Sequence, residues 1–186
     1  MTDFKDQFSK QSNAYKKYRP SYPDALFEYL STLTEEHELA WDSGTGNGQA
    51  AFSLVDFYTD VYATDPSEEQ IENATPHPNI TYRVERAEDC SLDDASVDLV
   101  TVAQALHWFD FYAFYAEVKR VLKEGGVFAA WTYGRPSINR NIDGLIRYFH
   151  DELLEGYWRY ENRLVDLEYV TLPFPFKELS TPQFEI

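Results

Sequence analysis

The chain turns on Leu39-Ala40-Trp41-Asp42-Ser43-Gly44-Thr45-Gly46-Asn47-Gly48. Its first four residues read as a short buried strand that runs straight into a turn with glycine at every second position. From Gln49 to Tyr58 the apolar spacing becomes helical. Strand, glycine turn and helix in that order let a backbone bend tightly and come close to a ligand without a Cβ in the way. Val61 to Asp65 follows as a second strand, and its last residue sets a carboxylate 21 positions after Gly44, well placed to accept the hydroxyl hydrogens of a ribose.

Outward from this unit the alternation continues. Ser21-Tyr22-Pro23-Asp24 opens a helix on its N-terminal side, with Ser21 as the expected cap and Leu26, Phe27, Leu30 and Leu33 on one face. Ser67 with Gln70 three residues later matches a capping box, so a short helix is expected after Asp65-Pro66. Ile80 to Val84 and Val97 to Ala103 read as strands, Asp110 to Leu122 as a helix ended by Gly125-Gly126, and Val127 to Tyr133 as a fifth strand. Strands that alternate with helices and are apolar on both faces predict an α/β fold, a doubly wound Rossmann-like parallel sheet with helices on both sides.

Beyond Pro136 the pattern predicts a helix from Ile138 to Leu154, with Ile142, Leu145, Ile146, Phe149 and Leu153 on one face. Leu172-Pro173-Phe174-Pro175-Phe176 is too proline-rich for a central strand, and Gln183 to Ile186 reads as the start of an edge strand. The expected division is an arm and first helix over 1–34, acting as a lid, an α/β core over 35–136, and a helical insertion with a C-terminal edge over 137–186.

Composition narrows the partners. Across 186 residues the formal charge is -16, which repels phosphate backbones and anionic lipid faces, so nucleic acid and membrane surfaces are poor partners and a small-molecule substrate is favoured. Residues 1–20 carry five Lys or Arg against two Asp, a net of +3 that leaves -19 for the rest. Cys90 is the single cysteine, no signal-peptide core precedes the first helix, and no run of ~18 apolar residues occurs, which together predict a soluble cytoplasmic protein.

Two cofactor classes compete for the crevice. A dinucleotide fingerprint spaces its glycines G-x-G-x-x-G, whereas Gly44, Gly46 and Gly48 recur every two residues. Asp42 beside the turn would repel a pyrophosphate but suits a ligand presenting an ammonium and a sulfonium, and S-adenosylmethionine presents both.

Asp42 to Gly48 resembles the first motif, D-x-G-x-G-x-G, of the class I S-adenosylmethionine-dependent methyltransferases of the UbiE/COQ5-like (methyltransferase type 11) group. Asp65 stands at the ribose-binding acid position of their second motif. Ala87-Glu88-Asp89, with Ser91 to Asp98, is similar to the adenine-side loop and its lead into strand four, and Glu117 to Gly126 resembles the shared E-x-x-R-V-L-K-P-G-G, with Glu124 in place of proline. Tyr18-Arg19-Pro20-Ser21-Tyr22-Pro23 and Gln104-Ala105-Leu106-His107-Trp108-Phe109 resemble the trans-aconitate methyltransferase-like branch, whose members methylate carboxylates of small acids.

The resemblance implies methyl transfer from S-adenosylmethionine to a small-molecule acceptor, a carboxylic acid oxygen among the candidates. A non-catalytic methyltransferase-like binding module and an NAD-type oxidoreductase stay open as alternatives. Asp42, Gly44, Gly46, Asp65, Glu88 and Gln104 are the expected cofactor contacts, with Glu88 meeting the adenine because Arg86 replaces the acid usual there. Arg19, His107, Trp108, Trp131 and Arg135 are the expected substrate contacts, the two arginines because a guanidinium matches a carboxylate bidentately. No side-chain nucleophile is required and no metal ligands are assigned. Related folds end in a hairpin of strands six and seven, for which the chain after Ser180 is too short, so the resemblance implies a sheet without that hairpin.

Overall fold

A computed structural model describes residues 21–185. Five strands form one sheet in the order β3-β2-β1-β4-β5. They are β1 (Leu39–Ser43), β2 (Asp60–Asp65), β3 (Ile80–Val84), β4 (Val97–Ala103) and β5 (Leu122–Trp131). Every pairing is parallel, and the order reverses between β1 and β4, the switch point at which such sheets open a crevice beyond their carboxyl ends.

The central strands β1 and β4 stay buried because both faces are covered. On one face α1 (Asp24–Ser31) and α2 (Gln49–Leu54) lay Leu26, Phe27, Leu30, Ala51 and Leu54 against Ala40, Val61 and Leu99. On the other, α4 (Phe111–Val121) packs Phe114, Val118 and Val121 against Trp41, Val100 and Val102. The short α3 (Glu68–Glu72) begins as the capping box predicts, the Ser67 side chain accepting from the backbone of Gln70. In α1 the cap falls on Pro23 rather than Ser21, because a proline that lacks an N–H and is held extended makes the natural first boundary.

The structure departs from the sequence reading on β5. The helix stops at Val121 and the strand begins at once, and Gly125-Gly126 does not end the helix. Pairing jumps from Val97 with Leu122 to Leu99 with Val127, so Lys123 to Gly126 bulge out of register, with Gly125 at φ 81° supplying the bend.

The long C-terminal helix also resolves differently. Asn139 caps α5 (Arg140–Arg147), a π turn continues it from Tyr148 to Leu153, and a short 3₁₀ turn, Glu155–Tyr157, leads to α6 (Tyr160–Asp166). Its apolar stripe is uncovered among the described residues, with Ile142, Leu145, Phe149 and Leu153 all exposed, since helical periodicity marks an apolar face without supplying a layer to meet it. Phe174 and Phe176 form no strand but pack their rings against Phe128 and Tyr115. Gln183 to Glu185 stay unpaired, with Phe184 resting on Tyr29, and among the described residues no strand follows β5. No helix among them is long and apolar enough to cross a membrane.

At the amino end of the sheet the buried Asp98 accepts from the backbone N–H groups of Glu38 and Leu39 at 2.8 and 2.9 Å and pairs with Lys123 at 2.8 Å. Burial alone would raise its carboxyl, but the lysine and the two amides outweigh burial and hold it below the usual 3.8. A depressed carboxyl stabilises the fold above its unfolded value, and that stability is lost as pH falls through the folded one. Asp98→Asn should therefore cost about 2 kcal/mol at neutral pH. Denaturation monitored from pH 7 down to pH 3 should show the gap from wild type closing on the acid side.

Candidate active site

The crevice is built on the turn after β1. Gly44, Gly46 and Gly48 hold φ of 69°, 56° and 86°, a region closed to most side chains. A Cβ at Gly44 would lie 2.6 Å from that of Ala105 and 3.0 Å from the Phe109 ring, so the turn after β4 packs directly on this glycine. Gly46 is different. A Cβ there would meet nothing nearer than Gln70 Oε1 at 3.9 Å, which leaves its backbone open to approach.

Asp42 lies fully buried beneath the turn rather than beside it. Its Oδ2 accepts from Thr45 Oγ1 at 2.6 Å and from Ala51 N at 3.2 Å, while Oδ1 accepts from Thr101 Oγ1 at 2.9 Å. Burial pushes its carboxyl up to about 6, against the lowering effect of these donors. With no exposed surface and three internal donors, this carboxylate shapes the turn from beneath. Asp65 sits higher, half-buried at the end of β2, its two oxygens accepting at 2.9 Å from Gly46 N and from Ser67 N. It joins the open glycine to the start of α3.

Gln104, the residue that follows β4, holds φ 57°, a strained conformation for a residue other than glycine. The side chain is tied to the end of β5, with Nε2 donating to the Tyr133 carbonyl at 3.3 Å and Oε1 accepting from Thr132 at 3.1 Å. The chain then passes through the 3₁₀ turn Leu106–Trp108, which carries His107. His107 is only 6% exposed, Nδ1 lies 2.8 Å from the Tyr169 hydroxyl, and its ring is 4.7 Å from that of the half-buried Trp108. Burial pushes its pKa down to about 4 despite the nearby Glu161.

The structure gives the remaining expected contacts these surroundings. Glu88 accepts from Asp110 N at 2.9 Å and pairs with Arg86 at 3.1 Å, so it fastens the loop after β3 to the start of α4. Trp131 packs on the core, its ring edge-on to Tyr22 and Phe27 and its Nε1 buried without a hydrogen-bond partner among the described residues. Arg135 pairs with Asp151 at 2.8 Å and Asp166 at 3.4 Å, because a guanidinium in an acidic body finds carboxylates of its own. Arg19 lies outside the described residues, as does the rest of the basic arm. Sequence reasoning missed Thr45 and Thr101 beneath the turn and Tyr169 over His107. The two threonines sit in recognisable elements, whereas Glu168 and Tyr169 both adopt positive φ with no glycine or asparagine to announce it.

The cradle fits a nucleoside with a charged tail. An open glycine backbone, a half-buried carboxylate one strand away and a strained turn on the far side meet at the switch point of the sheet.

Comparison with known proteins agrees. Residues 41–130, from β1 to the penultimate residue of β5, match the methyltransferase domain family. The chain is 39% identical over 183 residues to the "Putative methyltransferase" of Dictyostelium discoideum, covering 96% of this chain and 70% of that one. An "Uncharacterized methyltransferase" of Mycobacterium tuberculosis is 33% identical over 190 residues, covering 98% and 71%. Among solved structures, a "Putative Type II Methyltransferase" from Anaeromyxobacter dehalogenans shares 45% identity at a TM-score of 0.82, covering 89% of this chain and 70% of that one. The chain belongs to the methyltransferase domain family, as a class I enzyme that transfers a methyl group from S-adenosylmethionine to a small-molecule acceptor.

Proposed function

We propose that the acceptor is a small carboxylic acid and that the product is its methyl ester, as in the trans-aconitate methyltransferase-like branch. The observation that carries this reading is the state of His107. It is the one titratable side chain in the turn Gln104 to Phe109, and it lies buried against Tyr169 with its pKa pushed down to about 4. An imidazole held neutral so far below its usual 6.5 is a poor acceptor of a proton at pH 7. An alcohol, phenol or ammonium acceptor needs a proton removed, whereas a carboxylate is ionised already. When bound, S-adenosylmethionine supplies a sulfonium methyl that such an oxygen takes by in-line displacement.

The protein's part is placement. Asp65 receives the ribose hydroxyls, with its carboxylate kept in position by Gly46 N and Ser67 N. Gly46 lets the ligand lie close to the backbone, and Gln104, through its hydrogen bonds to Thr132 and Tyr133, fixes the turn that closes the opposite side. Trp108 adds an apolar wall that keeps water from the reacting atoms. Glu88 acts on the adenine side by holding the loop against α4.

Incubating the enzyme with the methyl donor and a panel of small acids, alcohols, phenols and amines should yield base-labile esters from the acids, trans-aconitate being the first probe. Methylation confined to hydroxyl or amine acceptors sinks the acid reading. Asp65→Ala removes two charge-assisted hydrogen bonds to the ribose, each worth ~1.5–3 kcal/mol at most, and S-adenosylhomocysteine should bind at least about tenfold more weakly by calorimetry. Gly44→Ala should lower stability by about 2 kcal/mol or more, since it forces a side chain into positive φ and drives the Ala105 turn outward. A melting temperature equal to wild type would show that the turn is not packed as described.

A further inference from the structure

The imidazole of His107 is more than nine-tenths buried, yet its Nε2 has no hydrogen-bond partner among the described residues. Nε2 is not among the fully buried unpartnered atoms of the described residues, which are Ser43 Oγ, Tyr115 Oη and Trp131 Nε1, so it keeps a little accessible surface through which a ligand can meet it. The ring stands on the turn whose flanking residues, Ala105 and Phe109, pack on Gly44. That places it beside the crevice and not in a remote part of the core. The other nitrogen, Nδ1, meets the hydroxyl of Tyr169 at 2.8 Å.

Tyr169 is held there at a cost. It and Glu168 are consecutive residues at φ 62° and 51°, in the left-handed region that side chains avoid, at the end of the segment that follows α6. Hydrogen bonds from Tyr169 N to Leu164 O at 3.0 Å and from Leu172 N to Tyr169 O at 2.9 Å lock the turn. With Glu168 N donating to Val165 O at 2.9 Å, these bonds are the closing turn of α6, and that turn sets the Tyr169 ring beside His107.

We infer that Tyr169 fixes the tautomer of His107 so that Nε2 carries the proton and donates a hydrogen bond to the carboxylate of the acceptor. The direction follows from acidity. A phenol, with pKa near ~10, is a far better proton donor than a neutral imidazole N–H, so the hydroxyl donates to the lone pair of Nδ1 and leaves the single ring proton on Nε2. An N–H donor in a water-poor pocket recognises an ionised carboxylate oxygen and turns the other oxygen toward the methyl group. It also answers how an acid is received when Arg135 is paired with Asp151 and Asp166. His107 is here a substrate-binding donor and Tyr169 a positioning residue that acts through it. The inference rests on the acid reading above and names the group that selects the acid.

Two measurements test it separately. Long-range ¹H–¹⁵N correlation spectra of the free full-length enzyme, with His107 assigned by its loss in His107→Gln, read the tautomer without any acceptor. The expected result is Nε2–H with Nδ1 unprotonated, shifting toward a mixture in Tyr169→Phe. An Nδ1–H tautomer in wild type overturns the inference whatever the acceptor proves to be. Kinetics then use trans-aconitate, or whichever acid of the panel is esterified, with S-adenosylhomocysteine affinity as the control for folding. Tyr169→Phe and His107→Leu should raise KM for the acid about tenfold, the loss of one charge-assisted hydrogen bond, with cofactor affinity unchanged. His107→Gln, which keeps an N–H near the position of Nε2, should recover part of the loss. Equal KM values in wild type and all three variants, or a glutamine no better than leucine, refute it. If no acid is esterified while the tautomer is as expected, the acid reading falls and with it the role assigned to the donor, so the source of failure is identified.

Discussion

A single buried carboxylate organises the site. Asp42 receives hydrogen bonds from Thr45 in the turn, Ala51 in α2 and Thr101 in β4, so three segments of the crevice converge on one charge with no exposed surface. The fold tolerates this because two of the three donors stand on elements that the core already holds in place, α2 through Ala51 and Leu54 and β4 by pairing on both edges. Desolvation still lifts its carboxyl from 3.8 to about 6. For an acid raised in the folded state, the stability is greatest below the unfolded value and declines as pH rises through the folded one. Ionised Asp42 is thus a cost carried at neutral pH, and what it secures is the shape of the turn on which Gly46 lies open.

The two ends of the sheet divide the work between them. At the amino end, Asp98, Lys123, Glu36 and Glu38 make a tight ion cluster that ties β4 and β5 to the start of β1. At the carboxyl end the backbone is bent instead of clamped, with positive φ at Gly44, Gly46, Gly48 and Gln104. Strained residues are affordable there because the strands beneath them are buried on both faces and resist relaxation.

This division also explains what could be read from the chain. The five strands, the capping box at Ser67 and the glycine turn were legible because each is decided locally: a strand buried on both faces is a continuous apolar run, and a turn at positive φ displays its glycines. Features set by distant partners were not. Gly125-Gly126 carries the same signal whether it stops a helix or bulges a strand, and only pairing with Val97 and Leu99 distinguishes them. Asp42 was legible as part of the turn but its burial beneath it was not, since spacing gives its neighbours along the chain and not the Thr101 hydroxyl 59 residues away. Arg135 attracted attention by its charge, while the acids that claim it lie on the π turn and α6. Tyr169 left no trace, because the left-handed turn that closes α6 carries no glycine or asparagine to announce it.

The charge of the body sets a further constraint on how such a site is used. A formal charge of -16 draws in S-adenosylmethionine, whose ammonium and sulfonium outnumber its carboxylate, and loses that attraction once the sulfonium has become a neutral thioether. The field therefore favours the loaded donor over the spent one without any contact to the reacting sulfur, and it weakens beyond ~8–10 Å at physiological salt. An anionic acceptor gains nothing from the same field, so its capture must rest on short-range groups within the pocket. A sheltered N–H such as the one inferred for His107 meets that requirement better than a surface guanidinium, because Arg135 shows how readily a cation on an acidic surface is neutralised by the surface itself.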